Sequence, residues 1–372
     1  MSGGPVRVGV VGAGNISDEY LTTLCAAPGI DVIGIADLDR SRAAAQAATY
    51  GVPFSGDTAG LLALPGLELV VNLTIPAVHA QVALEAIAAG KHVWGEKPLA
   101  LDRASARAVL DAATAAGVRV GNAPDTVLGR GIQYSQQLIA DGRIGTPQTV
   151  LTLMQGPGPD AWHPRPEFLF ARGAGPLFDI GPYYLTTLAL LFGPVDTVQA
   201  RGHRAFDVRT VPYGERAGDR IPVEVWTHVS VLTRFRSGVV GTSIYSFDSP
   251  VRRQLFEVTG SGGTLTVPVS GFDGASTFVP SGQPQPQPIE LAPPGVERRR
   301  GVGVIEMAEA IRADREPRAS GALAFHVLDT MLAIEESIEA GRPVAVDGDF
   351  EPLPAVAPAW PDEPAWPDEA SP

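Results

Sequence analysis

From Val6 to about Asn122 the apolar positions fall in short β-branched runs, and Ala-rich stretches with apolar residues at helical spacing separate them. The pattern predicts strands at Val6–Val11, Asp31–Ala36, Leu67–Leu73, His92–Trp94 and Arg119–Gly121. Helices are expected between them at about Ile16–Ala26, Arg40–Tyr50, Ala77–Ala89 and Arg103–Ala116. Strands alternating with helices form a parallel sheet, and right-handed crossovers make it open and doubly wound, with a ligand crevice at the carboxyl ends of the strands.

Beyond Asn122 the pattern changes. A helix near Gly131–Ile139 and a strand at Gln148–Met154 lead into a Pro- and Gly-rich loop, Gly156–Pro176, and then a helix at about Ile180–Phe192. Alternating runs at Val223–Phe235, Val239–Phe247, Gln254–Thr259 and Thr264–Val267, joined by short turns, predict a mainly antiparallel sheet and an α+β second domain. Pro280–Pro294 reads as an exposed polyproline-like loop before helices near Val304–Ala313 and Ala322–Ala340. The expected division is 1–123, 124–345 and a Pro-rich acidic tail, 346–372. In that tail Ala-Trp-Pro-Asp-Glu occurs at Ala359 and again at Ala365, a unit read as disordered or as a surface-docked strap.

The length of 372 residues suits two domains with real cores. With 28 Lys and Arg against 41 Asp and Glu, the net charge of −13 argues against nucleic acid or anionic lipid as partner. Cys25 stands alone, which rules out a disulfide framework. No apolar run reaches the ~20 residues needed to span a bilayer, the apolar stretch after Arg7 runs into a glycine turn rather than a cleavage site, and a cytoplasmic location is expected. The histidines at 79, 92, 163, 203, 228 and 326 lack metal-ligand spacing, so no metal is expected.

The first strand ends in Gly12-Ala-Gly14-Asn15-Ile16-Ser17, a G-x-G-x-x-S form of the dinucleotide fingerprint. Gly12 permits the tight turn, Gly14 lets a pyrophosphate approach, Ser17 takes the small-residue position, and the amides from Asn15 and Ile16 onward offer an anion site. Asp37, at the end of the next strand, is placed to accept from ribose hydroxyls, which favours NAD over NADP, with Arg40 and Arg42 softening that preference. Thr74, Pro76 and His79, after the strand Leu67–Leu73, complete the expected cofactor set together with Glu96 and Lys97. Lys97, in Glu96-Lys97-Pro98 at the end of another strand, can hydrogen-bond a substrate oxygen and stabilise a developing alkoxide.

The fingerprint, Glu96-Lys-Pro98 and Asp179-Ile-Gly-Pro-Tyr183 together resemble the glucose-fructose oxidoreductase, inositol dehydrogenase and MocA family over about Val6–Pro343. The resemblance implies a Rossmann NAD(P)-binding domain, an α+β domain whose open sheet builds homodimers or homotetramers, and oxidation or reduction of sugars, cyclitols and related alcohols. Many relatives carry Asp-x-Gly-x-His with the histidine as acid/base, whereas Tyr183 holds that position here, as in relatives similar to glucose-fructose oxidoreductase and dimeric dihydrodiol dehydrogenase. Asp179 and Tyr183 are one helical turn apart; Asp179 either orients the site or only caps the helix, and Tyr184 points about 100° away as the alternative base. A lysine ammonium beside Tyr183 would lower its pKa from ~10.

On the substrate side, Trp162 offers a stacking face, and His163 or Glu167 can bind hydroxyls or amines, though the same residues suit a plain surface loop. Asp125 and His326 are further candidate contacts, the latter also reading as a packed helix histidine. The reading is an NAD-dependent oxidoreductase acting on a secondary ring hydroxyl of a saccharide, glycoside or cyclitol, with an amino sugar oxidised at C3 as the suspected substrate. Its alternatives are an NAD-dependent glycoside hydrolase working by transient oxidation, and a non-catalytic NAD- and sugar-binding regulator.

Overall fold

The computed structural model describes residues 4–269, 271–358 and 360. The second tail repeat, and all of the first except Trp360, lie outside them. Two compact units are formed, and neither is contiguous.

The first unit opens with six strands, β1 (Val6–Val11), β2 (Ile30–Ala36), β3 (Phe54–Gly56), β4 (Leu69–Asn72), β5 (His92–Gly95) and β6 (Val120–Asn122). They pair in the order β3-β2-β1-β4-β5-β6, every pair parallel. Helices α1 (Ile16–Leu24), α2 (Arg40–Tyr50), α3 (Thr58–Leu62), α4 (His79–Ala88) and α5 (Arg103–Ala116) connect them. The strand order reverses between β1 and β4, the place where such sheets open a crevice at their carboxyl ends. Strand β3 and helix α3 were not expected from the sequence, because each is only a few residues long and neither shows a clear period.

The second unit contains α6 (Arg130–Ala140), β7 (Pro147–Pro157), α7 (Gly175–Asp179), α8 (Gly181–Phe192) and ten further strands. The strands are β8 (Val195–His203), β9 (Val208–Thr210), β10 (Arg220–Pro222), β11 (His228–Phe235), β12 (Val240–Ser246), β13 (Asp248–Gly260), β14 (Gly263–Thr266), β15 (Ser276–Pro280), β16 (Ile289–Leu291) and, after the chain returns, β17 (Val344–Ala345). Nine strands form one sheet, β16-β15-β14-β13-β7-β12-β11-β8-β17, in which only β7 and β12 run parallel. β9 and β10 make a separate hairpin. Helix α8 packs one face through Tyr184, whose ring stacks on Phe256 at 6.3 Å and meets Tyr245 edge-on at 5.9 Å. Leu151, Leu232 and Val240 remain exposed on this sheet.

The expected loop Pro280–Pro294 is interrupted by β16, which pairs with β15 through Ile289, Glu290 and Leu291. The expected strand Val223–Phe235 begins only at His228, because Val223 and Glu224 donate their N–H groups to Asp207 and Phe170 carbonyls instead.

From Pro294 to Leu328 the chain belongs to the first unit again, as does a segment starting at Val356. This stretch includes α9 (Val302–Arg312) and the first turns of α10 (Gly321–Ala340), whose remainder is assigned to the second unit. Val304, Met307 and Ala308 of α9 share one hydrophobic cluster with Val8, Val10, Leu69 and Trp94 of the parallel sheet. The contiguous ranges 1–123 and 124–345 therefore differ from the observed division by a helical segment that closes the first core.

Candidate active site

At the fingerprint turn, two glycines are required for different reasons. Gly12 has φ +105°, and a Cβ there would stand 2.7 Å from the Leu73 carbonyl, so the turn itself excludes a side chain. Around Gly14, by contrast, a Cβ would meet no protein atom within 4 Å; the space it would fill lies open above the turn. Helices α2, α3 and α5 of the same unit each begin with an aspartate side chain accepting from a first-turn N–H, from Asp39, Asp57 and Asp102. Helix α1 does not: its N-cap Asn15 makes no side-chain cap, so amides at its start remain for an anion. Ser17 is buried and its hydroxyl donates to the Gly14 carbonyl, while Ile16 packs on the core cluster. These features fit a dinucleotide pyrophosphate.

Asp37, at the end of β2, accepts the Ala13 N–H at 2.7 Å and the Asp39 N–H at 2.8 Å. These bonds fix the carboxylate beside the turn and use two of its roughly four acceptor directions, which leaves capacity for a ribose diol. Arg40 is engaged by Asp57, and Arg42 lies 3.6 Å from Asp39, so both guanidiniums that would serve a 2′-phosphate already have carboxylates. Two apolar residues follow strand ends into solvent: Leu38 is 103% exposed and Ile75 is 67% exposed. Both were missed from the sequence. Their signal was an aliphatic residue placed in a turn where a polar one is ordinary, and a flat ring would cover them.

The ends of β4, β5 and β6 hold the Glu96-Lys97-Pro98 segment from several sides. Glu96 Oε1 accepts from the Tyr20 hydroxyl at 2.7 Å, and Oε2 accepts from the Lys97 N–H at 3.1 Å. Asn122 donates to the carbonyls of Gly95 and Glu96, both at 3.0 Å. His79 is 2% exposed, and its ring nitrogens face the Pro98 and Thr74 carbonyls at 2.7 and 2.9 Å. Its expected contact with cofactor is therefore corrected: the ring ties two loops together, while Thr74, Ile75, Pro76 and Ala77 of that turn keep accessible surface. Thr74 is further anchored by donating to Asn72 Oδ1 at 2.6 Å.

Asp125 also departs from expectation. Instead of reaching a substrate it is fully buried, accepting from Arg300 at 3.1 Å and from the Gly301 N–H at 2.6 Å. Burial pushes its carboxyl up to about 6, with Arg300 opposing and Glu96 adding to the rise. His326 is 1% exposed on α10, which likewise removes it from the substrate set.

In the second unit, Asp179 closes α7 rather than capping α8; Ile180 is the junction, and α8 starts with Pro182 in its first turn. Asp179 and Tyr183 are both partly exposed. Tyr184 is the core residue of the pair, and burial raises its hydroxyl far above the ordinary phenol range, which removes it as an alternative base. Trp162 is 59% exposed and edge-on to His163 at 5.4 Å. Those two line a cavity of about 310 Å³ within this unit, whereas Glu167 is held by Arg216 beside it.

Among the described residues no helix is long and apolar enough to cross a membrane.

A doubly wound parallel sheet with this turn defines a dinucleotide-binding protein. Residues 6–123 match the oxidoreductase family with NAD-binding Rossmann fold, and residues 132–266 match the GFO/IDH/MocA C-terminal domain. The chain belongs to that family, and it is an NAD-binding oxidoreductase. It is 29% identical to 1,5-anhydro-D-fructose reductase of Ensifer adhaerens over 266 residues, 70% of this chain and 74% of the relative. In fold it is similar to an NAD binding oxidoreductase from Klebsiella pneumoniae (TM-score 0.82, 23% identity, 93% of this chain and 100% of the other). It is also similar to levoglucosan dehydrogenase in complex with NADH and L-sorbose (TM-score 0.80, 21% identity, 94% and 100%).

Proposed function

We propose that the protein oxidises or reduces a secondary ring position of a saccharide, glycoside or cyclitol with NAD, NADP being the poorer cofactor. The observation carrying this reading is the fixing of the Glu96-Lys97 segment at the strand ends by Tyr20, Asn122 and His79, which presents a lysine on a rigid base. When bound, NAD would supply the hydride acceptor or donor for the substrate carbon. Lys97 hydrogen-bonds the substrate oxygen and offsets its developing negative charge. Tyr183 accepts the hydroxyl proton in the oxidative direction and returns it in the reductive one. Asp179, the last residue of α7 and four positions before it, orients that tyrosine.

The names of the relatives support the substrate class: an anhydro-sugar reductase by sequence and a levoglucosan dehydrogenase by fold. An amino sugar oxidised at C3 is the narrower reading, and the charge of −13 suits a cationic substrate. The exposed Leu151, Leu232 and Val240 support self-association through the sheet face, as a homodimer or homotetramer in the cytoplasm.

The test is the absorbance of reduced nicotinamide as protein meets NAD or NADP with free sugars, cyclitols, glycosides and aminoglycosides. The expected outcome is turnover of one class with NAD, lost in Lys97→Met at unchanged Tm, and reduced about 10²-fold or more in Tyr183→Phe. Product formed with no reduced cofactor accumulating would favour the hydrolase; binding without any turnover would overturn the catalytic reading.

A further inference from the structure

Four large aromatic side chains stand mostly in water among the described residues: Trp162, Phe168, Phe206 and Tyr213, each between 56% and 63% exposed. All four lie in two segments of the second unit, the loop after β7 and the stretch around the β9–β10 hairpin. Scattered exposed apolar residues need no explanation, but a concentration of aromatics marks a recognition surface.

These segments are held together as one body. Tyr213 donates its hydroxyl to the Ala161 carbonyl, and Arg216 donates to the Pro164 carbonyl while pairing with Glu167. Arg209, only 11% exposed, joins Asp160 of the loop at 2.9 Å to Asp248 at 2.5 Å. Glu224, just past the hairpin, binds the loop at Phe170 and Arg172. The loop then passes directly into α7 and α8, which carry Asp179 and Tyr183.

Between loop and hairpin lies the 310 Å³ cavity, lined by Trp162, His163, Val211, Tyr213 and Arg216 among others. That volume is at the lower end of the roughly 300–1,000 Å³ of small-molecule sites, so one ring fits it better than an extended ligand. His163 Nδ1 accepts the Arg165 N–H, which in the neutral ring leaves the proton on Nε2 as a donor for a hydroxyl. The two guanidiniums that tie loop to hairpin are each bracketed by two carboxylates, Arg209 by Asp160 and Asp248, Arg216 by Glu167 and Asp219. Arg165, on the same loop, does not line the cavity. An anionic ligand would thus find its counter-charges taken, whereas a neutral or amine-bearing ring finds aromatic faces and a polar rim.

We infer that this pocket binds a second, neutral or amine-bearing sugar ring of the substrate, the one that is not oxidised, so that the protein prefers two-ring glycosides to single-ring sugars and methyl glycosides. The inference rests on the saccharide reading above.

Calorimetric titration of the intact NAD-loaded protein with methyl glucosides, cellobiose, maltose, sucrose and trehalose tests it. At least one disaccharide is expected to bind about tenfold tighter than the methyl glucosides, the gain that two aromatic contacts supply. Trp162→Ala and Tyr213→Ala should each bring that ratio to about 2 or less, Trp162→Phe should keep part of it, and unchanged NAD binding reports an intact fold. A ratio near one in the unaltered protein, or one that survives both substitutions, overturns the pocket. So does a change in oligomer mass by light scattering with the ratio unaffected, because the aromatics then serve contact between copies. The two readings separate: turnover of monosaccharides with no disaccharide preference sinks the pocket alone, and a Trp162-dependent preference without turnover of any sugar sinks the catalytic reading alone.

Discussion

The hydroxyl of Tyr20, on the helix that follows the fingerprint turn, donates to Glu96 at 2.7 Å, and the other oxygen of Glu96 accepts the Lys97 N–H. Burial first, then the nearby Glu96 and Asp125 carboxylates, raise the Tyr20 hydroxyl well above the ordinary phenol range, so it stays a donor. One bond thereby couples the helix at the cofactor turn to the strand end carrying Lys97. Tyr20→Phe should cost about 1–3 kcal/mol, because it removes the hydrogen bond that the buried tyrosine makes to the half-buried, charged Glu96. Urea unfolding reads the stability, and a matching fall in kcat would make Tyr20 a positioning residue; unchanged values of both would make the bond idle.

Gly12 and Gly14 should fail differently. Gly12→Ala drives a Cβ against Leu73 backbone at a φ of +105° and is expected to lower Tm. Gly14→Val meets no protein atoms near its Cβ, so Tm should hold while NAD affinity falls. Equal NAD affinity in Gly14→Val would mean that the open space above the turn is not where the pyrophosphate goes.

Cofactor choice should follow Asp37. Asp37→Ser is expected to weaken NAD binding about tenfold or more and to narrow the gap to NADP, since the carboxylate facing a 2′-phosphate is gone. Titration with both cofactors checks it, and an undiminished gap would assign discrimination to other residues.

Asp125 makes stability fall with pH in a defined window. Its carboxyl titrates near 6 in the fold against an ordinary 3.8, so the native state holds the extra proton. The stabilising contribution is complete below about pH 4 and is lost as pH rises through about 6, a change of order 3 kcal/mol. Urea midpoints across that range should decline less steeply in Asp125→Asn than in the unaltered protein; parallel curves would refute the assignment.

The parallel sheet was legible because its longer strands are apolar on both faces and the helices between them carry clear periods, as at Arg40–Tyr50 and Arg103–Ala116, where expected and observed bounds coincide. β8 escaped because Val195–His203 alternates only weakly and carries polar residues along much of its length. Asp125 was misassigned for a different reason. A carboxylate near strand ends looks exposed in a sequence, and nothing local announces Arg300, its partner 175 residues away. Tyr183 and Tyr184 illustrate the opposite: a rotation of 100° per residue separates neighbours into a partly exposed and a buried tyrosine, and that geometry is written in the chain.

The return of Pro294–Leu328 to the first unit bears on how the protein is made. Translation delivers β1 to β6 early, yet the cluster formed by Val8, Leu69 and Trp94 is completed by Val304 and Met307. During synthesis at the ribosome, a nascent chain ending at residue 123 would carry an unfinished core with Trp94 awaiting its cover. The first third of the protein to emerge is thus among the last to mature, and folding of the cofactor-binding body is deferred until most of the second unit has been synthesised.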